Sequence, residues 1–81
     1  MNFVRGQLVR TLKGRDVGIY VVTGEKDGYV LIANGRQYRL DGPKRKNPKH
    51  LAPSAGTLGE ESLAFDKQLK RALAAYAQGA Q

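Results

Sequence analysis

The stretch GIYVVTGEKDGYVLIANG, residues 18–35, decides the fold. It contains two apolar runs, residues 19–23 and 29–33, each with a length and composition typical of a β-strand. Asp27-Gly28 lies between them and Asn34-Gly35 follows them, and both dipeptides are strongly favoured in two-residue hairpin turns. The runs are apolar on both faces. We therefore expect an antiparallel hairpin whose outer face is covered by another apolar element.

The flanking residues extend this pattern in both directions. Residues 7–13 have the composition of a preceding strand, and the two glycines of residues 14–18 predict a turn after it. Residues 36–40 are predicted as a short fourth strand, which residues 41–43 end because proline cannot donate to a strand ladder. Four short strands spaced about ten residues apart predict a mainly β fold, a small antiparallel barrel of the SH3-like kind.

The C-terminal third predicts an α-helix. Leu69, Ala72, Leu73 and Tyr76 form one helical stripe, and Phe65 extends it one turn back. Two helix starts are open. Either Asp66 is the N-cap, or Thr57 and Glu60 form a capping box. We expect a barrel over residues 1–42, a basic extended arm and flexible linker over 43–59, and a helix over 60–78, together forming a single domain.

The charge of the chain is uneven. Its 81 residues, 8.9 kDa in mass, carry 14 Lys+Arg and 7 Asp+Glu, a net charge of +7. Residues 1–50 hold 11 of the bases and 4 of the acids, so the whole excess lies there. An excess of this size predicts an anionic partner, either nucleic acid or a membrane surface. The excess concentrates in residues 36–50, which are interpreted as a phosphate-binding strip or, alternatively, as a solvated connector.

Composition excludes several classes of site. The chain has no cysteine and one histidine, which excludes disulfides, cysteine–zinc sites and multi-histidine metal sites. No apolar run approaches the roughly 20 residues that a membrane span needs, and the N-terminus lacks the pattern of a signal peptide. A cytoplasmic location is expected. No P-loop and no nucleophile with a base and an orienting group is present, so we expect no enzyme activity, cofactor, metal or small-molecule substrate.

Residues 6–18 resemble a KOW motif, the short SH3-like barrel element of several ribosomal large-subunit proteins and of NusG-type transcription elongation factors. The matching features are the strand before Gly14, the turn at residues 14–16 and Gly18 at the next strand. Residues 30–35 are similar to the motif's later strand. Residues 43–51 resemble the basic arm of the fourteen-e type of ribosomal KOW protein and its small bacterial relatives. Many members have a basic residue where Val17 and Ile19 stand, which shifts the expected contacts toward Arg15 and the arm.

The resemblance implies RNA binding, most of all to ribosomal RNA, with ribosomal proteins as further partners. The expected RNA contacts are Lys13, Arg15, Arg36, Tyr38, Arg39, Lys44, Arg45, Lys46, Lys49 and His50. Gly14, Gly18 and Gly35 are expected to be structural turn residues.

Ordinary roles are the alternative for each of these sites. The cations would then be surface charges, Tyr38 a half-buried strand residue and His50 a neutral surface residue.

Two other functions stay open. The stripe from Phe65 to Tyr76 could serve a protein-interaction module, since SH3-like barrels also bind proteins and an apolar helical stripe fits a partner's groove. A membrane-surface role is less well supported because the basic cluster lies outside the amphipathic helix.

Overall fold

Five strands and one α-helix make up the computed structural model, which describes residues 3–12 and 17–79. The strands are β1 (Gln7–Thr11), β2 (Ile19–Lys26), β3 (Tyr29–Ala33), β4 (Lys44–Lys46) and β5 (Leu51–Thr57). The helix α1 spans Asp66–Gly79, and short 3₁₀ turns occupy Pro48–His50 and Glu60–Leu63. The prediction of a mainly β fold with a C-terminal helix is confirmed.

The strands form one antiparallel sheet in the order β4-β3-β2-β1-β5. The β2–β3 hairpin closes at Asp27-Gly28, where φ values of 52° and 83° give the left-handed turn that the dipeptide predicts. Chain order continues from β3 to β4, after which β5 returns beside β1. β4 and β5 lie at the two ends of the sheet, and within the described residues they do not pair with each other. The sheet is therefore open, and a closed barrel is not seen.

Each face of the sheet has its own core. One cluster contains Val9, Tyr20, Val22 and Ile32 with Phe3, Val30 and Leu51. On the other face, Leu8, Val21 and Ala33 pack with Leu63, Leu69 and Leu73, which places α1 against the sheet. The expectation that an apolar element covers the hairpin is confirmed. The helical stripe serves the protein's own core.

The predicted fourth strand at residues 36–40 is wrong. Asn34 and Gly35 do not close a two-residue hairpin, because the Asn34 side-chain oxygen accepts hydrogen bonds from the backbone N–H groups of Arg36 (3.0 Å) and Tyr38 (3.2 Å). This local bonding folds residues 34–40 into a loop. The fourth strand of the chain is β4, which begins at Lys44, ten residues after Asn34.

The arm and linker predicted over residues 43–59 also need correction. Residues 44–46 and 51–57 are strands of the sheet, so this segment is part of the fold rather than a flexible join. Pro53 lies on β5 at the end of the sheet, the position in which strands tolerate proline. The pairing of β5 with β1 is irregular between Gln7 and Val9, and Gly56 in this region has a φ of +132°.

The helix starts later than residue 60. Residues 60–63 form a 3₁₀ turn that places Leu63 in the core, and α1 begins at Asp66. Leu63 takes the place expected for Phe65, whose exposed fraction is 66%. Neither predicted cap is present: Thr57 ends β5, and the Asp66 carboxylate binds the Leu40 backbone N–H rather than its own helix.

Candidate nucleic-acid interface

β4 presents three consecutive cations at one end of the sheet. It pairs with β3 so that Lys44 lies opposite Ile32, Arg45 opposite Leu31 and Lys46 opposite Val30. Side chains alternate along a strand, so Lys44 and Lys46 share one face and Arg45 lies on the other. The two lysines are half-buried and Arg45 is exposed. β4 therefore offers positive charge on both faces of the sheet edge.

Two tyrosines hold these cations. The Lys44 Nζ atom lies 5.5 Å from the Tyr38 ring centroid, and the Arg45 guanidinium carbon lies 5.7 Å from that of Tyr29. Both distances are within the range of cation–π attraction. Tyr38 itself packs against the core and lies 6.2 Å from the Tyr20 ring. Tyr38 is thus a half-buried support for Lys44, and it does not sit between Arg36 and Arg39 on a strand.

The 3₁₀ turn Pro48–His50 adds Lys49 and His50 to the same region. The Asn47 side-chain oxygen caps the turn by accepting from the Lys49 backbone N–H at 2.9 Å, and Pro48 suits its first position. The carbonyl of His50 accepts from the Leu12 backbone N–H at 2.8 Å. The turn is therefore anchored to β1. The expected contacts Lys13 and Arg15, and the turn residue Gly14, lie outside the described residues.

Arg36 and Arg39 lie on the loop that connects β3 to β4. Gly35, at φ +78°, is buried against α1, where an added Cβ would stand 2.6 Å from the backbone oxygen of Asp66. Arg39 donates from Nε to the Asp66 carboxylate at 3.2 Å, while Arg36 is exposed beside the helix. The expected turn residue Gly18 also has a positive φ, +152°. The structure thus places Arg36 and Arg39 toward α1 rather than along a strand.

Ion pairing separates the cations into two groups. Arg5 binds Glu60 at 3.0 Å and Arg39 binds Asp66 at 3.2 Å. By contrast, no acidic partner for the cations of β4 and the 3₁₀ turn occurs among residues 3–12 and 17–79. Those cations are available to an external anion.

The two paired acids are held in their charged forms. The hydrogen bond from the Leu40 backbone N–H, with a further contribution from Arg39, holds the pKa of Asp66 below its ordinary value. The hydrogen bonds that Arg5 donates to Glu60 likewise lower the pKa of Glu60 and raise the pKa of Arg5. These carboxylates fasten the loop of residues 34–40 to α1 and Arg5 to the segment around Glu60.

Sequence reasoning missed two groups of residues near this surface. Lys67 and Lys70 of α1, together with Arg36, line a groove between the loop of residues 34–40 and the helix. Tyr29 supports Arg45. Both lysines fall outside the apolar stripe of the helix, and no local pattern indicates which distant loop this side of the helix meets. The described part of the chain contains no cluster of His, Cys, Asp or Glu able to hold a metal ion.

Comparison with known proteins identifies no relative: no protein-family model and no curated protein matches the sequence. Among the described residues, no helix combines the length and apolarity that crossing a membrane requires.

Proposed function

We propose that the protein is a non-catalytic, cytoplasmic RNA-binding protein of the KOW type, which binds structured RNA, most of all ribosomal RNA, through β4 and the following 3₁₀ turn. The single observation that carries the proposal is the cluster of cations without acidic partners on these two elements, in the part of the chain that the structure describes. The cluster consists of Lys44, Arg45, Lys46 and Lys49, and His50 follows Lys49 as a further hydrogen-bonding side chain.

The fold within this proposal is a strongly curved, SH3-like sheet. Its support is the antiparallel strand order β4-β3-β2-β1-β5, in which the last strand returns beside the first. Irregular pairing at Val22/Gly24 and at Gln7/Val9 adds curvature, because bulges increase local twist.

The proposed mechanism is electrostatic. Lysine and arginine side chains that replace the counterions of phosphates release those ions, and binding then weakens as salt is added. Fixing the cations on a strand and a capped turn lowers the ordering cost that a flexible arm would have on binding. Few aromatic rings are exposed in the described region, so shape and backbone should be read more than base sequence.

The same structure weakens the support for a protein-interaction module. That alternative depended on an apolar helical stripe that could enter a partner's groove. Leu69 and Leu73 of the stripe are buried against the sheet, with exposed fractions of 0% and 9%. The central part of the stripe, at Leu69 and Leu73, is therefore already occupied by the sheet.

The test is a salt titration of RNA binding by charge variants. Arg45→Gln and Arg71→Gln each remove one exposed arginine, the first from β4 and the second from the helix. We expect Arg45→Gln to reduce the log–log salt slope by about 0.7 and Arg71→Gln to leave it unchanged; Gln at Lys44, Arg45 and Lys46 together should reduce it by about 2.1.

Glutamine removes the head-group contacts of Lys44 and Arg45 with the tyrosine rings, about 0.5–1 kcal/mol each at exposed sites, so the fold should be retained, which circular dichroism verifies. Ribosomal RNA fragments are the first ligands to titrate, with sedimentation beside ribosomal subunits at low salt as a second measurement. RNA affinity that is unchanged in the triple variant would contradict the proposal.

A further inference from the structure

A groove separates the loop of residues 34–40 from the first half of α1, away from the cations of β4. Four side chains that line it are cationic: Arg36, Arg39, Lys67 and Lys70. They come from two segments about thirty residues apart in the chain, which the fold brings together. The groove is open to solvent rather than enclosed, which suits a surface-bound chain better than a small molecule.

The acidic residue in the groove, Asp66, offsets only part of this charge. One oxygen of Asp66 accepts from the Leu40 backbone N–H at 2.8 Å, and the other accepts from Arg39 Nε at 3.2 Å. Within residues 3–12 and 17–79, neither Arg36 nor Lys67 nor Lys70 has a salt-bridge partner. Three cationic side chains therefore line the groove with no carboxylate bound to them.

The two walls of the groove are held in a defined relation. The backbone at Gly35 approaches α1 so closely that an added Cβ would lie 2.6 Å from the Asp66 backbone oxygen and 3.0 Å from Lys70 Cγ. The hydrogen bonds of Asp66 to Leu40 and Arg39 fasten the far side of the loop to the same helical turn. A cationic surface that is ordered before binding loses less entropy when it captures an anion.

The loop of residues 34–40 connects the groove to β4 along the chain. Lys44 lies at the end of β4 nearest the loop, and its Nζ atom stands over the ring of Tyr38, a residue of that loop. Arg39 follows Tyr38 directly and reaches Asp66 on the helix. The loop therefore links the cations of β4 with those of the groove, with one acidic residue, Asp41, between Leu40 and Lys44.

We propose that this groove is a second phosphate-binding site, which takes phosphodiester groups of the RNA strand that lies on β4, with Lys67 and Lys70 as phosphate contacts. The inference rests on the proposed function, and it assigns to α1 a binding role in addition to covering the sheet. Phosphate contacts from the helix would fix the direction in which the RNA crosses the sheet edge.

The test compares charge removal inside and outside the groove on one helix. Lys70→Gln and Arg71→Gln each remove one charge from adjacent exposed positions, and only the first lines the groove. Lys70→Gln should reduce the salt slope of RNA binding by about 0.7, and the Lys67→Gln, Lys70→Gln double variant by about 1.4. Arg71→Gln should match the wild type, and all variants should keep the wild-type helical signal.

The outcomes separate the two proposals. If the wild type binds RNA and the double variant has the same salt slope and affinity as Arg71→Gln, the groove proposal is overturned and the β4 interface stands. A wild type that does not bind RNA overturns both. Titration with phosphatidylglycerol vesicles tests the other source of phosphate: lysine-dependent binding to vesicles without binding to RNA also overturns the groove proposal.

Discussion

Replacing Gly35 by alanine tests how tightly the loop of residues 34–40 is docked on α1. Two costs combine at this position. Its φ of +78° is unfavourable for any residue with a Cβ, and the added Cβ would meet the Asp66 backbone oxygen at 2.6 Å. A residue in the left-handed region costs about 1–2 kcal/mol, and overpacking adds about 1–3 kcal/mol, so Gly35→Ala should destabilise the fold by about 2–5 kcal/mol.

Gly28 provides a matched control in the same protein. Its φ is +83°, close to that of Gly35, but nothing lies within 4 Å of the position that a Cβ would occupy. Gly28→Ala should therefore show the conformational cost alone, about 1–2 kcal/mol. The difference between the two variants measures the close approach of loop and helix.

Urea denaturation followed by circular dichroism measures both effects. A domain of this size has a total stability of about 4–12 kcal/mol, so Gly35→Ala should lose a large part of it. A Gly35→Ala chain that is unfolded without urea agrees with the upper end of the range. Equal destabilisation by Gly35→Ala and Gly28→Ala would refute the reasoning, because it would mean that the helix moves away at no cost.

Two further predictions concern the hydrophobic core and the loss of folding stability at acid pH. Leu69→Ala should destabilise the fold by about 2–5 kcal/mol because Leu69 is fully buried, whereas Phe65→Ala at an exposed position should change stability by less than about 0.5 kcal/mol; equal effects in urea melts would contradict the packing. Asp66 has a lowered pKa in the folded protein, so its contribution is present above the ordinary value of 3.8 and is lost as the pH falls through the folded value. Asp66→Asn should make the melting temperature fall less steeply as the pH is lowered below the ordinary pKa of aspartate. A pH dependence equal to that of the wild type would argue against the hydrogen bond from Leu40.

The sequence predicts best the features that neighbouring residues determine. The hairpin at Asp27-Gly28 follows from backbone preferences of two adjacent residues, and it forms with the bounds expected for β3. The stripe of Leu69 and Leu73 is equally local, since one helical period defines it. Its burial against the sheet follows from the two apolar faces of residues 19–23 and 29–33, which require a cover.

Errors arise where distant contacts override local preference. Asn34-Gly35 has the composition of a tight hairpin, but the Asn34 side chain accepts hydrogen bonds from loop amides, and Gly35 packs on a helix turn about thirty residues away. Phe65 and Leu63 are both apolar, and only the break between the 3₁₀ turn and α1 decides which is buried. Pro53 suggests a break in structure, yet an edge strand accepts it.

The same difference between features set by neighbouring residues and features set by distant contacts applies to the candidate site. The cations of residues 44–50 are visible as a cluster in the chain, and their strand and turn keep them together. The groove that Arg36 shares with Lys70 has no counterpart in any short stretch of sequence. Its formation depends on how α1 crosses the sheet, which the apolar stripe alone does not specify.

The charges of β4 could have a purely protective role, because lysines on an end strand prevent sheets from pairing with one another. The opposite end of the sheet argues against this as a sufficient explanation. β5 carries no charged residue over Leu51–Thr57, and that edge is blunted instead by Pro53 and by the irregular pairing near Gly56. Protection in this sheet is therefore achieved without charge. Negatively charged side chains would protect an edge strand equally well. The charged residues of β4 are nevertheless all positive, and Lys49 adds another positive charge beyond the strand. The sign and the extension are what an anionic partner requires.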